Sequence, residues 1–188
     1  MMNPESQPLT IGRLVELYTN ESENLKFRVG YVRALSGDAL ILEALDKYGN
    51  HDGMDTIPLD DVFRVGYDTP YLRLVEFLYL DKDKAYRDGP AELLEYDPET
   101  SLLEQELHKA AADQDVGECM VGRGDDHTCV TGIIKSFDGE WITVQELDCN
   151  GLNDGTTALR LSAVTRFSRG GLDERTLKAY FSAQKKDK

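Results

Sequence analysis

The sequence predicts a mainly β protein made of two tandem five-stranded small barrels with short accessory helices. Three observations predict it. The stretch at residues 29–79 aligns without gaps onto 131–181, pairing Gly30 with Gly132, Gly37 with Gly139, Leu45–Asp46 with Leu147–Asp148, and Arg64 with Arg166. Within each copy, apolar and polar residues alternate in short runs, the period of a half-buried strand. Between those runs stand Gly- and Asp-rich turn signals, at matching places in both copies. A repeat this long is a duplicated small domain, and not one turn of a solenoid.

In the first copy, residues 13–19 (RLVELYT) are rich in strand formers, and ESEN supplies a polar turn. Residues 25–35 place Leu25, Phe27, Val29 and Tyr31 on one face against Lys26 and Arg28. Gly30 in mid-strand suggests a bulge or bend. Residues 36–38 (SGD) form a turn and residues 39–45 a third strand. After the loop LDKYGNHDG come two short strands, DTIPLDD and VFRVGYD. The second copy repeats the order with GECMVGR, HTCVTGIIKSF, EWITVQEL, TALRLSA and VTRFSR, and Asp138–Gly139 is a strong hairpin signal.

Helices fill the gaps. Pro70 opens a segment with Tyr71, Leu74, Val75 and Leu78 at helical spacing. Asp97 as cap and Pro98 in the first turn precede a helix over 97–112, whose Leu102, Leu103, Leu107 and Ala110 share a face. The last helix, LDERTLKAYFSAQKK, presents Leu172, Leu177 and Phe181 and ends in lysines that suit its dipole. The domain reading is residues 1–80 for the first barrel and its helix, 81–113 for linker and helix, and 114–188 for the second barrel and its helix. The stretch DKDKAYRDGP is the linker.

The segment GIIKSFDGEWITV, with GYVRALSGDALIL in the same frame, resembles the core of Sm-like barrels, including the bacterial Sm-like RNA chaperone. A helix ahead of five strands fits that family's order, and other SH3-like barrels share much of the pattern. The run of glycines and apolar positions followed by a helix is also similar to uncharacterised cytoplasmic proteins of low-GC Gram-positive bacteria. The resemblance implies small β-barrels and, in the family, RNA contact. Its RNA-contacting Asn is replaced here by Ile142 in one copy and by Ile41 or Leu40 in the other. The chaperone's Tyr-Lys-His segment aligns with Arg160–Leu161–Ser162 and Pro58–Leu59–Asp60, which do not retain it.

The chain carries a net charge of -14, which opposes general binding to phosphate backbones. MMNPESQPLT has neither part of a secretory leader, and Cys119, Cys129 and Cys149 have no paired spacing, so a cytoplasmic location is expected. No apolar stretch approaches a bilayer span. The loop at Leu45 offers Asp46, Asn50 and Asp52, but neither there nor from Asp148 in the second loop does the order of oxygen ligands and glycine match a calcium loop, so turn chemistry explains them. His127 and Cys129 are two apart, without a third group to orient them. No metal, cofactor or catalytic residue is expected, and the protein is read as not an enzyme. It is expected to be a binding or assembly module, with a protein partner or self-association. The alternative is RNA binding through Arg160, Arg166, Arg169, Arg175 and Lys178, which lie among Phe167, Tyr180 and Phe181. The two copies are expected to pack as a pseudo-symmetric pair, with the 97–112 helix bridging them or covering an edge.

Overall fold

In a computed structural model, residues 7–19, 26–81, 95–122, 127–149 and 151–186 are described, without the side chains of 81 and 183–186. The element order is β1 (Leu14–Tyr18), β2 (Arg28–Leu35), β3 (Ala39–Leu45), β4 (His51–Pro58), β5 (Arg64–Gly66) and α1 (Pro70–Asp81) in the first half. After α2 (Leu102–Asp113) come β6 (Val116–Val121), β7 (Thr128–Phe137), β8 (Trp141–Leu147), β9 (Asn153–Arg160), β10 (Val164–Arg169) and α3 (Leu172–Lys186). A short 3₁₀ turn joins β4 to β5 (Leu59–Asp61) and another joins β9 to β10 (Leu161–Ala163). The expected linker at 81–90 falls, but for its first residue, outside the described residues.

The strands form one open antiparallel sheet of ten, ordered β5-β1-β2-β3-β4-β10-β6-β7-β8-β9. Two barrels, each closed on itself, are therefore not what the strands build. In each half the fifth strand returns to pair with the first: β5 with β1, and β10 with β6. The fourth strand does not close on the fifth of its own half. Instead β4 pairs with β10 of the other half, matching Phe167 to Thr56, Ser168 to Asp55 and Arg169 to Met54. The edge that a closed barrel would satisfy internally is satisfied across the halves.

Each half keeps its core at corresponding positions. Val32, Leu40 and Leu42 pack with Val15, Leu17 and Ile57 in the first half. Ile134, Ile142 and Val144 pack with Cys119 and Phe167 in the second. Residues of this kind contribute about 1.5–3 kcal/mol each when fully buried. Register shifts fall between Val32 and Ala34 and, correspondingly, between Ile134 and Ser136. The bulge thus lies at Arg33 and Lys135, not at Gly30. Gly30 stays in the ladder opposite Ala44, and a Cβ there would collide with the carbonyl of Glu43, as at Gly132 with Gln145. Glycine is required for close approach.

The helices differ from their expected form in detail. In α1, Leu72 and Val75 pack with Tyr71 and Tyr79 over Leu14, Val29, Tyr31 and Leu45, whereas Leu74 is exposed. In α3, Leu177 and Phe181 pack over Val116, Ile133 and Leu147, and Leu172 stays exposed. The helix expected from Asp97 begins at Leu102 with Ser101 at its N-cap. Asp97 instead builds the turn before it, accepting from the Glu99 N–H at 2.9 Å and the Thr100 hydroxyl at 3.0 Å. Leu103, Leu107 and Ala110 of α2 enter the second core, while Leu102 packs against Ala34, Ala39 and Ile41 of the first half. The helix bridges the halves and contacts β3, β4 and β7, none of which is an end strand.

Candidate functional site

The β4–β10 seam is where the two halves stop being alike. Asp55, fully buried on β4, accepts from Arg28 Nε at 2.6 Å and from the Ser168 hydroxyl at 2.6 Å. Arg28 Nη1 also lies 3.8 Å from Asp52. The corresponding positions in the other half are Thr157, Val130 and Gly66, which form no such set. A buried carboxylate is tolerated only where cations and donors surround it. The seam supplies both, one from each half.

A second ionic group ties α2 to β10. Arg169 Nε donates to Glu106 Oε2 at 2.7 Å, and Arg169 Nη1 to Asp115 at 3.3 Å. The Tyr96 hydroxyl donates to Glu106 Oε1 at 2.6 Å, and Lys109 Nζ lies 3.2 Å from it. Burial alone would push the Glu106 carboxyl up, but the Arg169 guanidinium, with Tyr96 and Lys109, holds it below the usual carboxylate range. Across the seam the balance reverses. Burial pushes the Asp52 and Glu174 carboxyls up, with neighbouring carboxylates adding to it.

Two clefts flank the seam, and Arg28 and Arg166 line both. One, of about 560 Å³, carries Lys26, Lys47 and His127 beside Phe27, Tyr71 and Cys129. The other, of about 530 Å³, carries Asp52, Glu118, Asp148, Asp173 and Glu174. Two of the thiols are poor nucleophiles: burial pushes Cys119 up to about 12, and burial with Glu118 nearby raises Cys129. Among the described residues no group of His, Cys, Asp and Glu is placed to hold a metal ion, and no helix is long and apolar enough to cross a membrane.

The repeat loops are turns of one design. Asp46 Oδ1 accepts from the N–H groups of Tyr48 and Asn50, both at 2.8 Å, and Asp148 Oδ1 accepts from Leu152 N–H at 2.8 Å. Gly49 and Gly151 both take φ 70° in them. Asp52 lies beyond the turn, at the start of β4.

Of the candidate RNA contacts, Arg166 donates to Glu118 at 2.8 Å, and Arg169 is held as described. Arg160 donates to Glu140 at 3.0 Å and lies 4.6 Å from the centre of the Trp141 ring. Lys178 pairs with Asp115, and Arg175 is exposed on α3. They are not one patch: Arg160 is on an end strand, while Arg166 and Arg169 are at the seam. Sequence reasoning missed Arg28, Asp55 and Ser168. Their signal was present as mismatches in an otherwise regular repeat.

The ends of the sheet are the remaining feature. Among the described residues, β9 bonds only to β8, and β5 only to β1. On β9, Asn153 to Thr156, Ala158 and Arg160 are exposed. No protein-family model matches the chain, and neither a curated protein nor a solved structure does.

Proposed function

We propose that this protein is a non-enzymatic assembly module of two duplicated Sm-like halves, and that copies of it join through the ends of the sheet. One observation carries the reading. The internal seam joins a fourth strand, β4, to a fifth strand, β10, so the free ends are again a fourth strand, β9, and a fifth strand, β5. Such a contact is heterologous, and its two faces remain available after each addition. Copies therefore add head to tail, closing into a ring if the rotation allows it. β9 supplies unpaired N–H and C=O groups that favour a strand partner.

Light scattering on the eluting protein over a range of concentrations tests this. Oligomers that fall to monomers on Thr156→Lys plus Ala158→Lys in β9 support it. A monomer at every concentration sinks it. The RNA alternative draws less support, because Arg160, Arg166, Arg169 and Lys178 already face carboxylates. Reversing Arg166 or Arg169 would damage the seam as well, so the RNA test belongs to Arg160→Glu and Arg175→Glu.

A further inference from the structure

We propose that the basic cleft beside the seam binds a small ring-bearing organic anion, of the aryl phosphate or aryl carboxylate class. The cleft measures about 560 Å³, within the range of small-molecule sites. In a chain of net charge -14, the described residues that line it set Lys26, Arg28, Lys47 and Arg166 from both halves against one carboxylate, Asp61, with Arg28 also paired to Asp55 and Arg166 to Glu118. The neighbouring cleft is lined by five carboxylates, Asp52, Glu118, Asp148, Asp173 and Glu174, so the seam sorts charge to its two sides. Arg28 and Arg166 line both clefts, whereas Lys26 and Lys47 line this one, so an anion is favoured here over the acidic side.

Arg166, which lines both clefts, keeps one donor unmet. Its Nη2 is engaged by Glu118, but its Nε is buried with no acceptor. Buried donors without partners are rare in proteins, and an unmet one marks a place where a ligand oxygen or a water belongs. Guanidinium groups suit planar carboxylates and phosphates, while Lys26 and Lys47 act as point charges. Behind the cations the wall is apolar: Phe27, Val29, Leu45, Tyr71 and Met120 line it. The Phe27 ring packs against Tyr18 and Tyr71, with centroids 5.2 and 5.6 Å away, and is still 36% exposed, so part of its surface is open to a flat body. A bare inorganic anion would leave this wall unused.

The matched probes are 1-naphthyl phosphate, 1-naphthol and inorganic phosphate, titrated by calorimetry into the full-length protein. Naphthyl phosphate should bind at least about tenfold tighter than either fragment, since charged hydrogen bonds and ring burial act together. Lys47→Glu and Phe27→Leu should each weaken it about tenfold or more, with melting temperatures confirming folded variants. Lys135→Glu makes the same charge change away from the cleft and should leave binding unchanged. No binding of naphthyl phosphate at millimolar concentration overturns the proposal. So does equal weakening by Lys135→Glu, or inorganic phosphate binding as tightly as the aryl ester.

Discussion

β4 and β9 hold the same place in their halves, yet one is inside the molecule and the other on its rim. Gly53, Asp55, Thr56 and Ile57 of β4 are buried, whereas Gly155, Thr156 and Ala158 of β9 are exposed and only Thr157 and Leu159 are half-buried. The difference is not in strand geometry, since both pair with the preceding strand through a similar register. It lies in what covers the other side, β10 together with α2. Burial of a strand is thus a property of its neighbour, and the sequence records it as local exceptions: Asp55 against Thr157, Arg28 against Val130.

The largest expected break in this comparison is Asp55→Ala. It strands Arg28 and Ser168 at the seam and should destabilise by about 3–5 kcal/mol in urea titrations, as buried pairs do when one partner is removed. Thr157→Ala on β9 should stay within about 1 kcal/mol, the usual range for a lost hydroxyl bond. Equal losses would mean that the seam is not specialised.

Next come the paired glycines. Both have positive φ, 92° at Gly53 and 113° at Gly155. A Cβ at Gly53 would lie 2.6 Å from the Gly171 nitrogen, but at Gly155 it would meet nothing within 4 Å. Alanine should therefore cost about 1–3 kcal/mol of backbone strain at either site and about 2 kcal/mol more at Gly53, from the collision. Should copies assemble through β9, the gap between the two should narrow under assembling conditions.

A third test compares the cores. Val15 and Val65 of the first half correspond to Gly117 and Phe167 of the second, and a Cβ at Gly117 would sit 2.6 Å from the Phe167 ring. Gly117→Val should cost about 1–3 kcal/mol by overpacking. Adding Phe167→Val should recover part of that loss, and a double-mutant cycle on the two positions measures the coupling. Strict additivity would refute the exchange of volume.

The smallest effects concern pH. Glu106 is held below the ordinary range, so its stabilisation is present above the unfolded carboxylate pKa, about 4.3, and is lost as pH falls through the lower folded value. Glu106→Gln should destabilise at pH 7 and flatten the acid limb of a melting-temperature profile. Glu174 is raised, so its contribution is complete below the unfolded pKa and is lost as pH rises through the folded one. Glu174→Gln should therefore raise the melting temperature slightly at pH 7 and leave it unchanged at pH 3.5.

Much of the strand content was legible in the sequence. Residues 39–45 and VTRFSR coincide with β3 and β10, and LDERTLKAYFSAQKK with α3. Local period and turn chemistry carry that information, which is why it survives without tertiary context. The joining of β4 to β10 was not legible, because pairing partners depend on which edge reaches which, a long-range matter. Site residues fared worse for the same reason. Arg166 and Arg169 read as a basic face, but their carboxylates arrive from β6 and α2. Loop chemistry was the exception, since Asp46 and Asp148 bond to their own turns.

The exchange of volume between Gly117 and Phe167 bears on how the chain avoids misfolding. Two like halves in one chain risk trading strands before either is complete. If β1 took the place of β6, Val15 would be driven against the Phe167 ring. If β6 took the place of β1, Gly117 would leave a hole in the cluster to which Val15 and Val65 both contribute in the correct half. Each wrong pairing carries a packing fault that the right one lacks, so a single displaced side chain marks each first strand as belonging to its own half.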